Sequence, residues 1–162
     1  MNQIFLALGA MMLLSGIVLT MNNSFIGAGQ DTLKAEIGIT AVSLATSVIE
    51  EASGMAFDNK TDTLTTNTTA SLTAAASLGP ENGQTYGTFN DFDDWNNYDT
   101  TYSLPRSGKF HVQATVTYVS ATTPNTVSAT PTWDKKITVK VSSPSMEDTL
   151  KMEYVYSYFY FR

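Results

Sequence analysis

From Ile4 to Thr20 the chain is a nearly unbroken run of Leu, Ile, Val, Met, Ala and Phe, and no charged residue occurs before Asp31. At ~1.5 Å rise per residue, about 20 such residues in a helix cross ~30 Å of hydrocarbon. From Asp31 the pattern changes: Leu33, Ile37, Ala41, Leu44, Val48, Ala52 and Met55 recur at steps of three and four. That spacing predicts one apolar face of an amphipathic helix running to about Phe57. Asp31 and Thr32 suit its start and Gly54 its end. Between the two patterns stand Asn22, Asn23, Ser24, Gly27 and Gly29. Each is less favourable than Ala in a helix by up to ~1 kcal/mol, so the stalk is expected to unwind locally near residues 22–30.

The second half of the chain alternates instead. Phe110, Val112, Ala114, Val116 and Tyr118 are separated by His111, Gln113, Thr115 and Thr117, the signature of a half-buried strand. Trp133, Lys135, Ile137, Val139 and Val141 repeat the pattern. A last strand is expected from about Thr149 to Arg162, with Met152, Tyr154, Tyr156, Tyr158 and Tyr160 on one side. Val155, Phe159 and Phe161 lie on the other, so this strand should be covered on both faces. Pro124 and Pro131 bracket one connection, and Ser142-Ser143-Pro144-Ser145 makes the next a tight turn. Residues 58–80, rich in Thr, Asn, Ala and Ser, read as a long surface connection.

The expected fold is therefore α+β, with a long N-terminal hydrophobic helix packed on a C-terminal antiparallel β-meander head. Three parts follow: a stalk over residues 1–30, an amphipathic helix over 31–57, and a β-rich head over 58–162. Composition narrows the function. A net charge of −6 and nine Lys and Arg argue against nucleic acid as a partner. Without cysteine there is no disulfide, thiol nucleophile or thiolate metal site, and His111 is the one histidine. His111, between polar strand neighbours, reads as a surface residue. Glu50 and Glu51 point about 100° apart on a helix and cannot form an acid–base pair. No hydrolase, P-loop, dinucleotide or zinc-protease motif occurs, and no enzymatic activity is expected.

The start of the chain lacks the basic segment of a signal peptide, the first basic residue being Lys34. The favoured reading is that Met1 begins a processed chain whose basic leader has been removed; the alternative is a chain that starts here and inserts without one.

Several short segments carry a family resemblance. They are Ala45-Thr46-Ser47-Val48-Ile49-Glu50-Glu51 with Met55-Ala56-Phe57-Asp58, then Phe92-Asp93-Asp94-Trp95-Asn96-Asn97-Tyr98, and Lys136-Ile137-Thr138-Val139-Lys140-Val141. Together with the uncharged N-terminal helix, this organisation resembles the type IV pilin superfamily, and bacterial minor pilins and pseudopilins in particular. The resemblance implies that stalk helices bundle into a filament core with heads around it. It departs from the family's pattern where a glutamate is usual at the fifth mature residue, since Phe5 stands here with Gln3 nearby. No proline precedes Pro80 to kink the stalk.

The expected function is thus a structural subunit of an extracellular type IV pilus-like filament, reaching the cell surface from a membrane-inserted precursor. Its partners would be copies of itself, the inner membrane before assembly, and the pilus or secretion assembly machinery. The core residues would be Ile4, Phe5, Leu6, Leu8, Leu13, Leu14, Ile17 and Leu19, with Gly9 and Gly16 permitting close helix approach. The alternatives are a membrane-anchored minor pilin or pseudopilin, and a membrane-anchored binding module. The binding module would use the acidic segment, where Asp91, Asp93, Asp94 and Asp99 could hold calcium. The competing reading of that segment is a polar turn whose Asp and Asn side chains bond their own backbone, anchored by Phe92, Trp95 and Tyr98. Asn59 and Asn67 begin candidate N-glycosylation sequons. No other cofactor is expected.

Overall fold

A computed structural model describes residues 2–62 and 65–159, apart from the side chain of Asn2. Two compact units emerge, Met1–Gly38 and Ile39–Arg162. One helix, α1, spans Asn2–Ser53. It is long and apolar enough to cross a membrane.

The expected break near residues 22–30 does not occur, nor does a second helix begin at Asp31; α1 is continuous through both. Thr20 donates its hydroxyl to the Gly16 carbonyl at 2.9 Å, Ser24 to Thr20 at 3.0 Å and Thr32 to Ala28 at 2.9 Å. The propensity penalties of two Asn, one Ser and two Gly sum to only a few kcal/mol. Helix already propagating from both sides needs no new nucleus. Unwinding in an apolar setting would strand backbone groups at several kcal/mol each. Continuity therefore prevails over local propensity.

In the second unit the last turns of α1 bury Ala41, Val48 and Ala52 of the face read from the spacing, together with Ala45, which that spacing does not include. Leu33 of the same spacing lies in the first unit and is exposed. The helix ends where Gly54 N–H donates to the carbonyls of Glu50 and Glu51, at 3.1 and 3.3 Å.

The sheet is antiparallel and five-stranded: β1 (Tyr98–Leu104), β2 (Gly108–Ser120), β3 (Thr123–Val127), β4 (Asp134–Ser142) and β5 (Leu150–Ser157). Its order is β1-β2-β4-β5, with β3 paired to the far end of β2. Val112 faces Val141, Ala114 faces Val139 and Val116 faces Ile137 across the β2–β4 pair, and all six are buried. This central pairing gives the head its core.

Two strands add to the expected meander. The segment from Tyr98 onward turns from the acidic stretch into β1 at Asn97, whose φ of 64° suits an Asn in the left-handed region. β3 is exposed throughout, which is why no alternation marks it. β5 is also narrower in its burial than expected. Tyr156 and, just beyond it, Tyr158 are buried, whereas Lys151, Glu153 and Val155 face outward, so the strand is covered on one face. As the last strand of the sheet it meets one neighbour, and Glu153 bonds Lys151 and Lys136 on its open side. Tyr160, Phe161 and Arg162 lie outside the described residues.

The connection from Asp58 to Pro80 is more built than a plain loop. Short 3-10 turns at Asn59–Thr61, Thr69–Ser71 and Ala75–Ser77 alternate with the buried side chains of Leu72 and Leu78.

Candidate functional site

Two features stand out, one in each unit, and they have opposite chemistry. The first is the outward face of α1. Phe5 is 70% exposed and Leu13 72%, and Ile4, Leu6, Leu8, Leu14, Ile17 and Leu19 are all exposed as well. A Cβ built on Gly9 or Gly16 meets nothing within 4 Å, so nothing in the subunit itself requires glycine at either position. Fully burying a Leu, Ile or Phe side chain is worth about 1.5–3 kcal/mol, and soluble monomers rarely leave apolar patches beyond a few hundred Å² uncovered. This segment calls for cover.

The second feature lies inside the head. Lys135, on β4, occupies an inward position of the alternation that runs through Ile137, Val139 and Val141, and it is 0% exposed. Its ammonium donates to the Phe57 carbonyl at 2.7 Å, to Asp58 Oδ2 at 3.0 Å and to Asp93 Oδ1. The Phe57 ring centroid lies 4.5 Å from Nζ and that of Tyr118 5.3 Å away, so the charge sits against aromatic faces. One side chain thus joins the segment after α1, the acidic turn, β2 and β4.

The two aspartates differ in support. Asp58 accepts from Lys60 N–H at 3.1 Å, from Thr73 N–H at 2.9 Å and from the Thr73 hydroxyl at 3.0 Å. The Tyr118 hydroxyl lies 3.3 Å from Asp58 Oδ2 and donates at 2.8 Å to the Thr73 carbonyl. Burial pushes the Asp58 carboxyl up, but the Lys135 charge and these donors together hold it below the usual carboxylate range. Asp93 is 2% exposed, and among the described residues no backbone N–H reaches its carboxyl. Burial drives its pKa up despite Lys135.

The acidic segment folds as a 3-10 turn, Phe92–Trp95, capped by Asp91. Asp91 Oδ1 accepts from the backbone of Asp93 at 2.8 Å and of Asp94 at 3.2 Å, while Asp94 Oδ2 accepts from Asn90 at 2.8 Å and Asp91 at 3.3 Å. Phe92 N–H donates to the Ala56 carbonyl at 2.8 Å, tying the turn to the chain leaving α1. Trp95, fully buried, packs against Tyr98, Phe89 and Tyr86 with ring centroids 4.9, 5.5 and 5.5 Å apart. The second oxygens of Asp91 and Asp94 are buried and have no hydrogen-bond partner. Burial, then the charges of Asp93 and Asp94, pushes Asp91 up to about 8.

The four aspartates expected to act together are therefore separated. Asp93 turns to Lys135. Asp99 lies on β1, where its carboxylate takes the His111 ring at 2.7 Å and the Gln113 amide at 2.8 Å. Hydrogen bonds from Gln113 and His111 hold the Asp99 pKa down. Asp91 and Asp94 remain together, and Glu81 brings a carboxylate oxygen so that all three groups lie within 4.8 Å of one another. A hard cation could be shared at that spacing.

The remaining candidates are peripheral. Asn59 and Asn67 are exposed, and the Asn59 amide donates to Glu81 Oε1 at 2.6 Å. Glu51 accepts from the Tyr86 hydroxyl at 2.9 Å.

Comparison with family models, curated proteins and solved structures returns no match. A long apolar N-terminal helix followed by an antiparallel sheet is nonetheless the general architecture of type IV pilins. The buried lysine is the feature that pattern reading passed over. Its signal was there: a lysine at an inward position of a strand otherwise lined with Ile and Val.

Proposed function

We propose that this chain is the repeating subunit of an extracellular, type IV pilus-like filament, with a structural rather than catalytic role. The observation that carries the reading is the uninterrupted helix whose Phe, Leu and Ile side chains point outward from Ile4 to Ile26. In a membrane, lipid covers this surface. Outside one, bundled copies of the same helix cover it at about 25 cal/mol per Å² of apolar area buried. A contact between different faces of identical subunits whose rotation does not close into a ring produces a helical polymer. Before assembly the helix anchors the subunit in the inner membrane, from which assembly machinery would extract it.

The test is to shear material from the cell surface, separate it from membranes and image it. Abundant filaments whose protein is this chain support the proposal. A trace component confined to the inner membrane supports instead a minor pilin or pseudopilin, for which the same helix serves as an anchor. A monomer that remains in the membrane and captures a ligand through its head would favour the binding-module reading.

A further inference from the structure

We propose that Lys135 Nζ and the Asp93 carboxyl join in an intramolecular isopeptide bond, formed by the folded head itself with Asp58 as the proton-transfer group. The bond would form within the head alone, whether or not the chain polymerises.

The geometry meets the requirements of amide formation. The amine and the carboxyl are in direct contact on two segments far apart in sequence, β4 and the acidic turn. Holding two reactants in place this way is equivalent to effective concentrations of roughly 10⁵–10⁸ M. Lys135, Asp58 and Asp93 are 0%, 0% and 2% exposed, so bulk water, which would favour hydrolysis and the charged pair, is kept out. Around them stand Phe57 and Tyr118 rather than competing nucleophiles.

The charge balance also favours reaction. One lysine is shared by two carboxyls, so the buried cluster holds more acid than it can neutralise as ion pairs. Asp58 has donors enough to persist as an anion without Lys135, namely Lys60 N–H and both donors of Thr73. Asp93 lacks them. Condensation removes the Lys135 and Asp93 charges and leaves a neutral amide, relieving the desolvation cost of a buried ion pair.

The step balances without a co-reactant. Lys135 passes one ammonium proton to the Asp93 carboxylate, giving amine and acid. The nitrogen lone pair attacks Asp93 Cγ, forming the C–N bond. Asp58, 3.0 Å from Nζ, takes a second proton from nitrogen and delivers it to the leaving hydroxyl. The Cγ–O bond breaks, one water departs and Asp58 is again a carboxylate.

The test is peptide mass spectrometry on the full chain, purified in detergent, denatured and digested with trypsin. The expected product is a branched peptide in which residues 61–106 and 110–136 are joined through Asp93 and Lys135, lighter than their sum by one water. Cleavage after Lys135 should be blocked. Lys135→Arg, which keeps the charge, should yield peptides 61–106 and 110–135 separately, and Asp58→Asn should leave most of the chain unlinked while Lys135 and Asp93 remain. Separate, unmodified wild-type peptides after prolonged incubation of the folded chain would overturn the proposal. A branch through Asp58 would overturn the assigned roles.

Discussion

The two units of this protein invert each other's chemistry. In the first, Ile, Leu, Met and Phe face outward along a helix with no charge before Asp31. In the second, charged Lys135, Asp58 and Asp93 are packed inside a sheet domain, while the surface is largely polar. An exposed apolar helix is incomplete without lipid or further subunits, because nothing within its unit covers it. The Lys135, Asp58 and Asp93 cluster is instead enclosed within its own unit, with Phe57 and Tyr118 against it. On the filament reading proposed above, association would belong to the helix, and the head would keep its own buried core.

The largest effects should come from reversing either arrangement. Leu13→Lys puts a charge where bundled helices or lipid must cover it, at about 2.5–3.5 kcal/mol per subunit at the centre of a membrane helix. Filament yield should fall to nothing, with the melting temperature of the head in detergent unchanged. Lys135→Met should do the opposite. It leaves Asp58 and Asp93 buried without Lys135, as ion-pair or as amide partner, and breaking such a buried pairing costs about 3–5 kcal/mol. Chemical denaturation of the head should record that loss, whereas the apolar helix should keep its detergent-bound helicity by circular dichroism.

A smaller effect comes from pH. Asp91 has a folded pKa raised to about 8 from the ordinary 3.8, so folding favours its protonated form. The associated stability is fully present below the unfolded pKa and is lost as pH rises through about 8. The groups acting on it are Asp93, Asp94 and Lys135. In chelator, the melting temperature should fall between about pH 5 and pH 9, and Asp91→Asn, which still caps the turn, should flatten that profile. An unchanged profile in the variant would mean that Asp91 does not titrate in this range.

Gly9→Leu and Gly16→Leu sharpen the comparison from the other side. Both fit the isolated helix, and leucine raises helix propensity there by up to ~1 kcal/mol over glycine. Reduced filament yield from either variant would locate close helix approach between subunits; normal yield from both would exclude a packed glycine face. The smallest effect belongs to Glu153→Gln. Its closer bond, to exposed Lys151 at 2.8 Å, is a surface pair of the kind that contributes within about 1 kcal/mol, and its bond to the largely buried Lys136 is longer, at 3.3 Å. A larger loss in head stability would show that exposed and buried charges here are not energetically distinct.

The difference between the units also governed what the sequence made legible. The central strands, β2 and β4, were readable because alternate residues face the core, and the last turns of α1 because Ala41, Val48 and Ala52 recur with helical period. β3 was not, since an edge strand exposed at every residue carries no alternation. β1 was hidden because its first residues, Tyr98 and Asp99, look like the end of an acidic loop. The unwinding expected near Gly27 failed because single-residue propensities ignore the backbone bonds a continuous helix retains. The acidic segment looked like one four-carboxylate site, but chain proximity does not set direction. Asp91 and Asp94 bond back to the turn, Asp93 reaches Lys135, and Asp99 pairs across to β2.

The filament proposed here depends on the apolar face of α1 being covered by copies of the same helix. The native chain has no cysteine, so a single Val18→Cys variant reports on one position without background. Val18 is exposed on the helix of the isolated chain. Surface filaments, freed of membrane, should be treated with a water-soluble maleimide before and after dissociation in detergent, with Thr101→Cys in the head as the exposed control. If the helices cover one another, the thiol introduced by Val18→Cys is protected in the filament and reactive once dissociated, while that introduced by Thr101→Cys labels in both states. Equal labelling of the Val18→Cys variant before and after dissociation would contradict helix-on-helix cover.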